Sequence, residues 1–433
     1  MNADPRASLI VPVHDCEPYL PRLLGSIDAQ TSRDFEVIFI DDCSTDASAK
    51  ILAEYAAKTA DIGVRALSTA ESPAPADGNG PRGPSAARNI GIDAARGEYL
   101  MFLDGDDFME PALVERALGR ADETGADIVI WDLWFYNDVL ERIQYPYVGT
   151  LTFEYFAGKD VFCYRDNPDR IFTSFQNWVW NKMFRADMVR REGLRFDEGL
   201  HRTEDAPFTC VALARAERIA LMYERLSNYR ILASKPSLMG SVSARPLDFV
   251  NAFLLLRSQL EERGLFDETR RSFVNWCAGG IVSNLDALSP YGVFLMLYRR
   301  LQAGGLDELG LTADLPEGYY FDPESRRTVD AVRTMTPEEY LVMRLQESRH
   351  TVQLRDGEVR AEIWDREDAE ARAHGLEEEL AHRDGELKRS RAEGAALRDE
   401  AARLRASTSY RLGNAIARPA AAVRDAIRPK KNL

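Results

Sequence analysis

Short apolar runs that stop at carboxylates, alternating with segments of helical spacing, constrain this chain more than any other feature. Residues 8–13 form an apolar strand ending in Pro12-Val13-His14-Asp15, and 18–27 follow with apolar residues at helical spacing. Residues 35–40 are a second apolar run, halted by Asp41, Asp42 and Ser44. Strand, helix and strand at this spacing make a βαβ unit, whose crossover sets the two strands parallel. The alternation continues with a helix over 48–58, a strand over 64–68, a helix over 86–95 and a strand over 98–103 that halts at Asp104. A helix over 111–124 then leads to a strand over 127–133. The pattern predicts an α/β fold with a mostly parallel sheet flanked by helices.

Beyond residue 246 the strand signals fade, and helical spacing over 249–260 and 294–301 predicts a helical domain. Residues 351–405 are proline-free and rich in Glu, Arg, Ala and Leu. With Val352 at position a, the a sites include Val359, Leu380 and Leu387 and the d sites Leu376, Leu397 and Leu404, a coiled-coil pattern interrupted by Gly375, Gly385 and Gly394. Self-association through this helix is the expectation ahead of a solvated single helix. The last segment, 409–433, carries Arg411, Arg418, Arg424, Arg428, Lys430 and Lys431 against Asp425, interleaved with Leu412, Ile416, Val423 and Ile427. It reads either as a basic amphipathic helix on anionic lipid or as a disordered basic tail. The organisation expected is thus 1–240, 241–350, 351–408 and 409–433.

The 433 residues hold 55 Lys+Arg against 70 Asp+Glu, a net charge of -15, which argues against nucleic acid as a partner because phosphate backbones reward clustered Lys and Arg. Five widely spaced cysteines without a Cys-x-x-Cys pair read as reduced residues of a cytoplasmic protein. No segment offers the roughly 18 consecutive apolar residues of a membrane span, and the first residues do not read as a secretion signal. The expected location is therefore cytoplasmic, with peripheral contact at the inner face of the membrane if the tail binds lipid.

Ligands of open parallel sheets bind beyond the carboxyl ends of the strands. Three such ends carry polar clusters here: His14-Asp15, Asp41-Asp42-Cys43-Ser44-Thr45-Asp46 and Asp104-Gly105-Asp106-Asp107. The carboxylates of the last cluster repel one another unless a cation sits among them, and hard oxygen ligands suit Mg²⁺ or Mn²⁺ shared with a diphosphate. The helix opening at Ser85-Ala86-Ala87-Arg88 brings a guanidinium and a helix N-terminus suited to anions. Gly78, Gly80 and Gly83 spell a literal G-x-G-x-x-G, but in a proline-rich loop instead of a strand-to-helix turn, so a nicotinamide or flavin site is rejected.

These motifs, in this order, resemble the family 2 glycosyltransferases of bacterial cell-surface polysaccharide assembly. The likeness extends through Ile10-Val11-Pro12-Val13, Arg88-Asn89-Ile90-Gly91, Trp180-Asn181-Lys182, Phe196-Asp197-Glu198-Gly199-Leu200, Glu204-Asp205 and Tyr229-Arg230. It implies a GT-A fold, a nucleotide-diphospho-sugar donor (a UDP-sugar first), a divalent metal, and inversion at the anomeric carbon. Carried over by position, Pro12, Val13 and His14 line the base pocket, Asp42 bonds the base, Arg88 helps hold the nucleotide and Asp104 lies near the ribose. The metal falls to Asp106 or Asp107 and the catalytic base to Asp205, while Trp180, Asn181, Lys182 and Glu204 are candidates for the acceptor site. Tyr229 and Arg230 are candidates for closing over the diphosphate. Cys43 departs from the Gly of the usual Asp-Asp-Gly-Ser motif, and His14-Asp15 from the usual Tyr-Asn. No Gln-x-x-Arg-Trp motif of processive synthases is present, so single addition to a glycan, lipid-linked or other hydroxyl acceptor is expected. The rival readings are a degenerate transferase-like scaffold, for which keeping Asp104, Asp106 and Asp205 together has no chemical purpose, and a nucleotidyltransferase, whose basic phosphate loop is missing after the first strand.

Overall fold

A computed structural model describes residues 5–71, 80–138, 140–144, 156, 158–232 and 243–406. The chain divides into two compact units, Met1–Tyr340 and Leu341–Leu433. The basic tail expected at 409–433 lies outside the described residues, as does Gly78 of the rejected glycine motif.

The first unit opens with β1 (Ala7–Val13), α1 (Leu20–Asp28), β2 (Phe35–Asp41), α2 (Ser48–Lys58) and β3 (Gly63–Ser68). It continues with α3 (Pro84–Ala94), β4 (Tyr99–Phe102), β5 (Phe108–Met109), α4 (Leu113–Thr124) and β6 (Ile128–Asn137). Then follow β7 (Arg142–Gln144), β8 (Val161–Phe162), β9 (Lys182–Arg185), α5 (Ala186–Arg191), α6 (Asp205–Arg215) and β10 (Ile219–Ile231). The strand order is β3-β2-β1-β4-β9-β6-β10-β5, with β7 on β6 and β8 on β10. Strands β1 to β4 pair in parallel and β10 runs parallel to β6. β9 is antiparallel to both β4 and β6. The sheet is therefore mostly parallel, as the alternation predicted.

All seven residues of β1 are buried, which is why the strand reads as a nearly continuous apolar run: both faces of the sheet are covered. Leu9, Val11 and Val13 point to one face, where they join Leu20, Leu23 and Ile27 of α1 and Val114, Ala117, Leu118 and Ala121 of α4. Ile10, offset by one, meets α3 on the other face, so closely that a Cβ at Gly91 would lie 2.3 Å from its Cγ2. Each large aliphatic side chain buried this way contributes about 2 kcal/mol.

Helices α7 (Asp248–Glu262), α8 (Phe266–Ala287), α9 (Tyr291–Arg300), α10 (Leu306–Glu308) and α11 (Pro323–Thr334) complete the first unit. The backbone N–H of Phe172 donates to Ser272 Oγ at 2.8 Å, and Arg271 pairs with Asp169 at 3.0 Å, tying α8 to the segment before β9. α12 (Pro337–Ala406) begins in the first unit and supplies the described part of the second. Among the described residues no helix is long and apolar enough to cross a membrane.

Candidate active site

The registers bring the polar strand ends together. Val13 lies opposite Asp41, Asp41 opposite Ser68, and Ile10 opposite Phe102, so the segments after β1, β2 and β4 emerge along one edge of the sheet. Gly105 lets the last of them nest there: a Cβ would meet Pro12 O at 3.0 Å and Val13 Cγ2 at 3.2 Å.

On the β1–β2 side, Asp42 is buried and accepts from Thr69 Oγ1 (2.7 Å), Arg82 N (2.8 Å) and Gly83 N (2.7 Å). A carboxylate has about four acceptor positions, so roughly one remains for a ligand. His14 Nδ1 lies 2.7 Å from the Asp42 carbonyl, which only accepts; Nδ1 therefore carries the proton, and in the neutral ring Nε2 is left as an acceptor. Asp41 Oδ1 and the Nε and Nη1 of Arg82 are buried without a partner among the described residues. Asp15 accepts from Thr45 N at 2.7 Å, bracing the turn after β2.

Arg88 is the centre of the arrangement. It is buried on α3, with Nη2 donating to Asp104 Oδ1 at 2.8 Å and Nη1 to Glu204 Oε1 at 2.9 Å, and Nη1 lies 3.8 Å from Asp205 Oδ1. Burial opposes its charge, but Asp104, Asp205 and Glu204 outweigh it and hold the guanidinium protonated. Asp205 opens α6. Burial pushes its carboxyl well above the usual carboxylate range, Glu204 adds to the rise, and Arg88 opposes it. The adjoining stretch is fixed by Asn89, which exchanges hydrogen bonds with both backbone groups of Phe196, and by an Arg82–Glu198 pair at 2.8 Å.

Asp107 is 2% exposed, and its Oδ1 accepts from Arg230 N at 2.7 Å while Oδ2 is buried without a partner among the described residues. Burial, then Asp106 and Asp104, push its carboxyl well above the usual range. Asp106 is half-buried. Among the described residues no three His, Cys, Asp or Glu side chains form a closed metal cage. A Mg²⁺-like ion does not need one, since it binds through one or two carboxylates and completes its shell with water and phosphate oxygens. The unmatched Asp107 oxygen and the crowding of three carboxylates fit such an ion. Arg230, 7% exposed, donates through Nη1 to Asp138 at 2.8 Å and keeps Nε and Nη2 without partners among the described residues.

The acceptor candidates divide by depth. Trp180 is 4% exposed, whereas Asn181 and Lys182 are fully buried, so these two reach a substrate only through what they hold. Lys182 Nζ donates to Gln176 O, Trp178 O and Asn181 Oδ1, each at 2.7 Å. Burial pushes its pKa down to about 7, with Asp205 working against the shift. Trp178, Trp180 and Tyr229 stack nearly parallel, with centroids 4.8 to 6.4 Å apart. Arg82 escaped the sequence reading, because it sits in a Pro/Gly-rich stretch that reads as surface loop, yet its backbone donates to Asp42 and its side chain pairs with Glu198.

The model of the family described as Glycosyl transferase family 2 matches residues 8–186, from β1 to the start of α5. That stretch is a glycosyltransferase family 2 domain. The chain is 31% identical over 242 residues to the uncharacterized glycosyltransferase EpsJ of Bacillus subtilis strain 168, covering 56% of this chain and 65% of that protein. It is 26% identical over 260 residues to the poly(ribitol-phosphate) beta-N-acetylglucosaminyltransferase TarS of Staphylococcus aureus strain MW2, covering 58% of this chain and 40% of TarS. The chain thus spans less than two thirds of the length of either relative. The crystal structure of S. aureus TarS 1–349 in complex with UDP-GlcNAc superposes with a TM-score of 0.51 at 20% identity, over 76% of this chain and 91% of that one. The family 2 domain therefore has the GT-A fold of its relatives.

Proposed function

We propose that the chain is a metal-dependent inverting glycosyltransferase, moving a sugar from a nucleotide-diphospho-sugar to an acceptor hydroxyl in cell-surface glycan assembly. The observation that carries the reading is Arg88, which binds Asp104 of the β4 turn and Glu204 beside Asp205 through one guanidinium. Donor-side and base-side carboxylates are thereby held within one side chain's reach. Pro12, Val13, His14 and the remaining acceptor position of Asp42 take the base, Asp104 the ribose, and the unmatched N–H groups of Arg230 the diphosphate. The co-crystal of TarS with UDP-GlcNAc makes a UDP-sugar the first donor to test. A Mg²⁺ or Mn²⁺ ion held by Asp106 and Asp107 supplies charge neutralisation for the departing diphosphate when bound.

Asp205 takes the proton of the acceptor hydroxyl as its oxygen bonds the anomeric carbon and the bond to the diphosphate breaks. Attack from the side opposite the leaving group inverts that carbon. An Asp205 pKa raised by burial makes the carboxylate a stronger base. Glu204 shapes the site from beneath. In the second unit, exposed Val352, Leu376, Leu380, Leu387 and Leu397 lie on the heptad seam and support self-association of α12.

The test is thermal stabilisation by UDP, GDP, dTDP and CMP, with and without Mn²⁺, since a ligand of the folded state raises its stability. One nucleotide is expected to stabilise the wild type in a Mn²⁺-dependent way, and Asp106→Asn to lose most of that shift. Asp205→Asn should keep the shift and abolish transfer. No shift with any nucleotide would overturn the reading.

A further inference from the structure

Trp178 and Trp180, just ahead of β9, and Tyr229 of β10 form an aromatic group, and Arg230, next to Tyr229, donates its N–H to Asp107. Trp180 lies in the turn that leads into β9, with Lys182 N donating to Val179 O at 3.3 Å, and β9 pairs with β4. Continuing the β5–β10 register past Asn228↔Phe108 brings Tyr229 opposite Asp107, in line with the hydrogen bond from Arg230 N to Asp107. Ser227 Oγ joins the two segments, accepting from Trp131 Nε1 at 2.7 Å and lying 3.4 Å from Trp180 O. In the sheet order the base-pocket residues follow β1 and β2, whereas these rings attach to β9 and β10, across β4.

Trp180 is the buried member of the group, and Trp178 and Tyr229 are half-buried where core rings would be covered. Their rings lie 6° from parallel with centroids 6.4 Å apart, and each stacks against Trp180. Phe135 meets Tyr229 edge-on at 5.6 Å. The backbone beneath Trp178 is pinned by the fully buried Lys182, whose three donors are all engaged, two of them on the carbonyls of Gln176 and Trp178. A rigid aromatic surface of this kind carries negative charge density on its face, which suits the polarised axial C–H groups of a pyranose ring. A polyol phosphate or a lipid tail presents no such flat C–H face.

We infer that Trp178 and Tyr229 form a stacking platform for a pyranose ring of the acceptor, with Lys182 as the positioning residue that presents Trp178. The inference rests on the transferase reading and adds the acceptor's chemical class. Its test is saturation-transfer NMR on the full chain with the diamagnetic Mg²⁺, the nucleoside diphosphate that binds, and a set of methyl pyranosides (β-glucoside, β-galactoside, α-mannoside, β-N-acetylglucosaminide). At least one is expected to receive saturation on its ring C–H protons. Trp178→Ala should weaken that binding about fivefold to tenfold, and Trp178→Phe should restore most of it. Signals from the bound nucleotide report whether each variant keeps its fold. Nucleotide binding without saturation of any pyranoside, or saturation that persists in Trp178→Ala, overturns the platform alone. A wild type that binds no nucleotide overturns the transferase reading with it.

Discussion

Asp205 is raised by burial and by Glu204, lowered by Arg88, and within electrostatic reach of Asp104 and Lys182. As the proposed base it works only when ionised, so kcat/KM falls as pH drops through its raised pKa. Glu204→Gln keeps an amide oxygen for Arg88 and removes the like charge, which favours the ionised form of Asp205. The acid limb of the pH–rate profile is therefore expected to move to lower pH in Glu204→Gln; an unmoved limb, or one moved upward, would detach Glu204 from the base. Asp104, Asp106 and Asp107 were legible as candidates because carboxylates after apolar runs leave a one-dimensional trace, whereas Asp205 follows no such run and was a candidate only through the family resemblance of Glu204-Asp205. The depth of Asn181 and Lys182 was not legible, because nothing local distinguishes a lysine that lines a cleft from one whose three donors are spent on backbone and amide oxygens.

At the scale of elements, the strands read from apolar runs reappear within a few residues, since parallel strands covered on both faces cannot hide among polar positions. β9 and β10 left no such mark. The described β9 has four residues, and β10 passes through Glu224, Arg225 and two register shifts before reaching Tyr229. The start of α12 was legible but unread: Thr336-Pro337-Glu338-Glu339 is a capping box, with Thr336 N donating to Glu339 Oε2 at 2.8 Å and Glu339 N to Thr336 Oγ1 at 3.2 Å. The turn after β2 holds Cys43 at φ 57°, a left-handed conformation that costs a side-chain-bearing residue about 1 kcal/mol. This explains the glycine usual at that position. Cys43→Gly is expected to stabilise the chain by about 1 kcal/mol in urea unfolding; equal or lower stability would mean that the Sγ contacts with Thr69 Oγ1 (3.6 Å) and Gly80 O (3.7 Å) outweigh the relief.

For the whole molecule, the proposed self-association rests on α12. Leu380 and Leu387 occupy successive a sites and are 67% and 48% exposed, a cost to an isolated helix that a partner helix removes. Light scattering is expected to give a multiple of the chain mass for the wild type and the single-chain mass for Leu380→Glu/Leu387→Glu; a monomeric wild type would remove the coiled coil from the account. The chain is acidic overall, and along the sheet edge Asp41, Asp42, Asp104, Asp106, Asp107 and Asp205 concentrate that sign. On the proposed reading, Arg88 and Arg230 offset part of this charge, and a diphosphate already paired with its divalent cation would reach the edge against less repulsion than a bare one, a difference that shrinks as salt shortens the range of the repulsion.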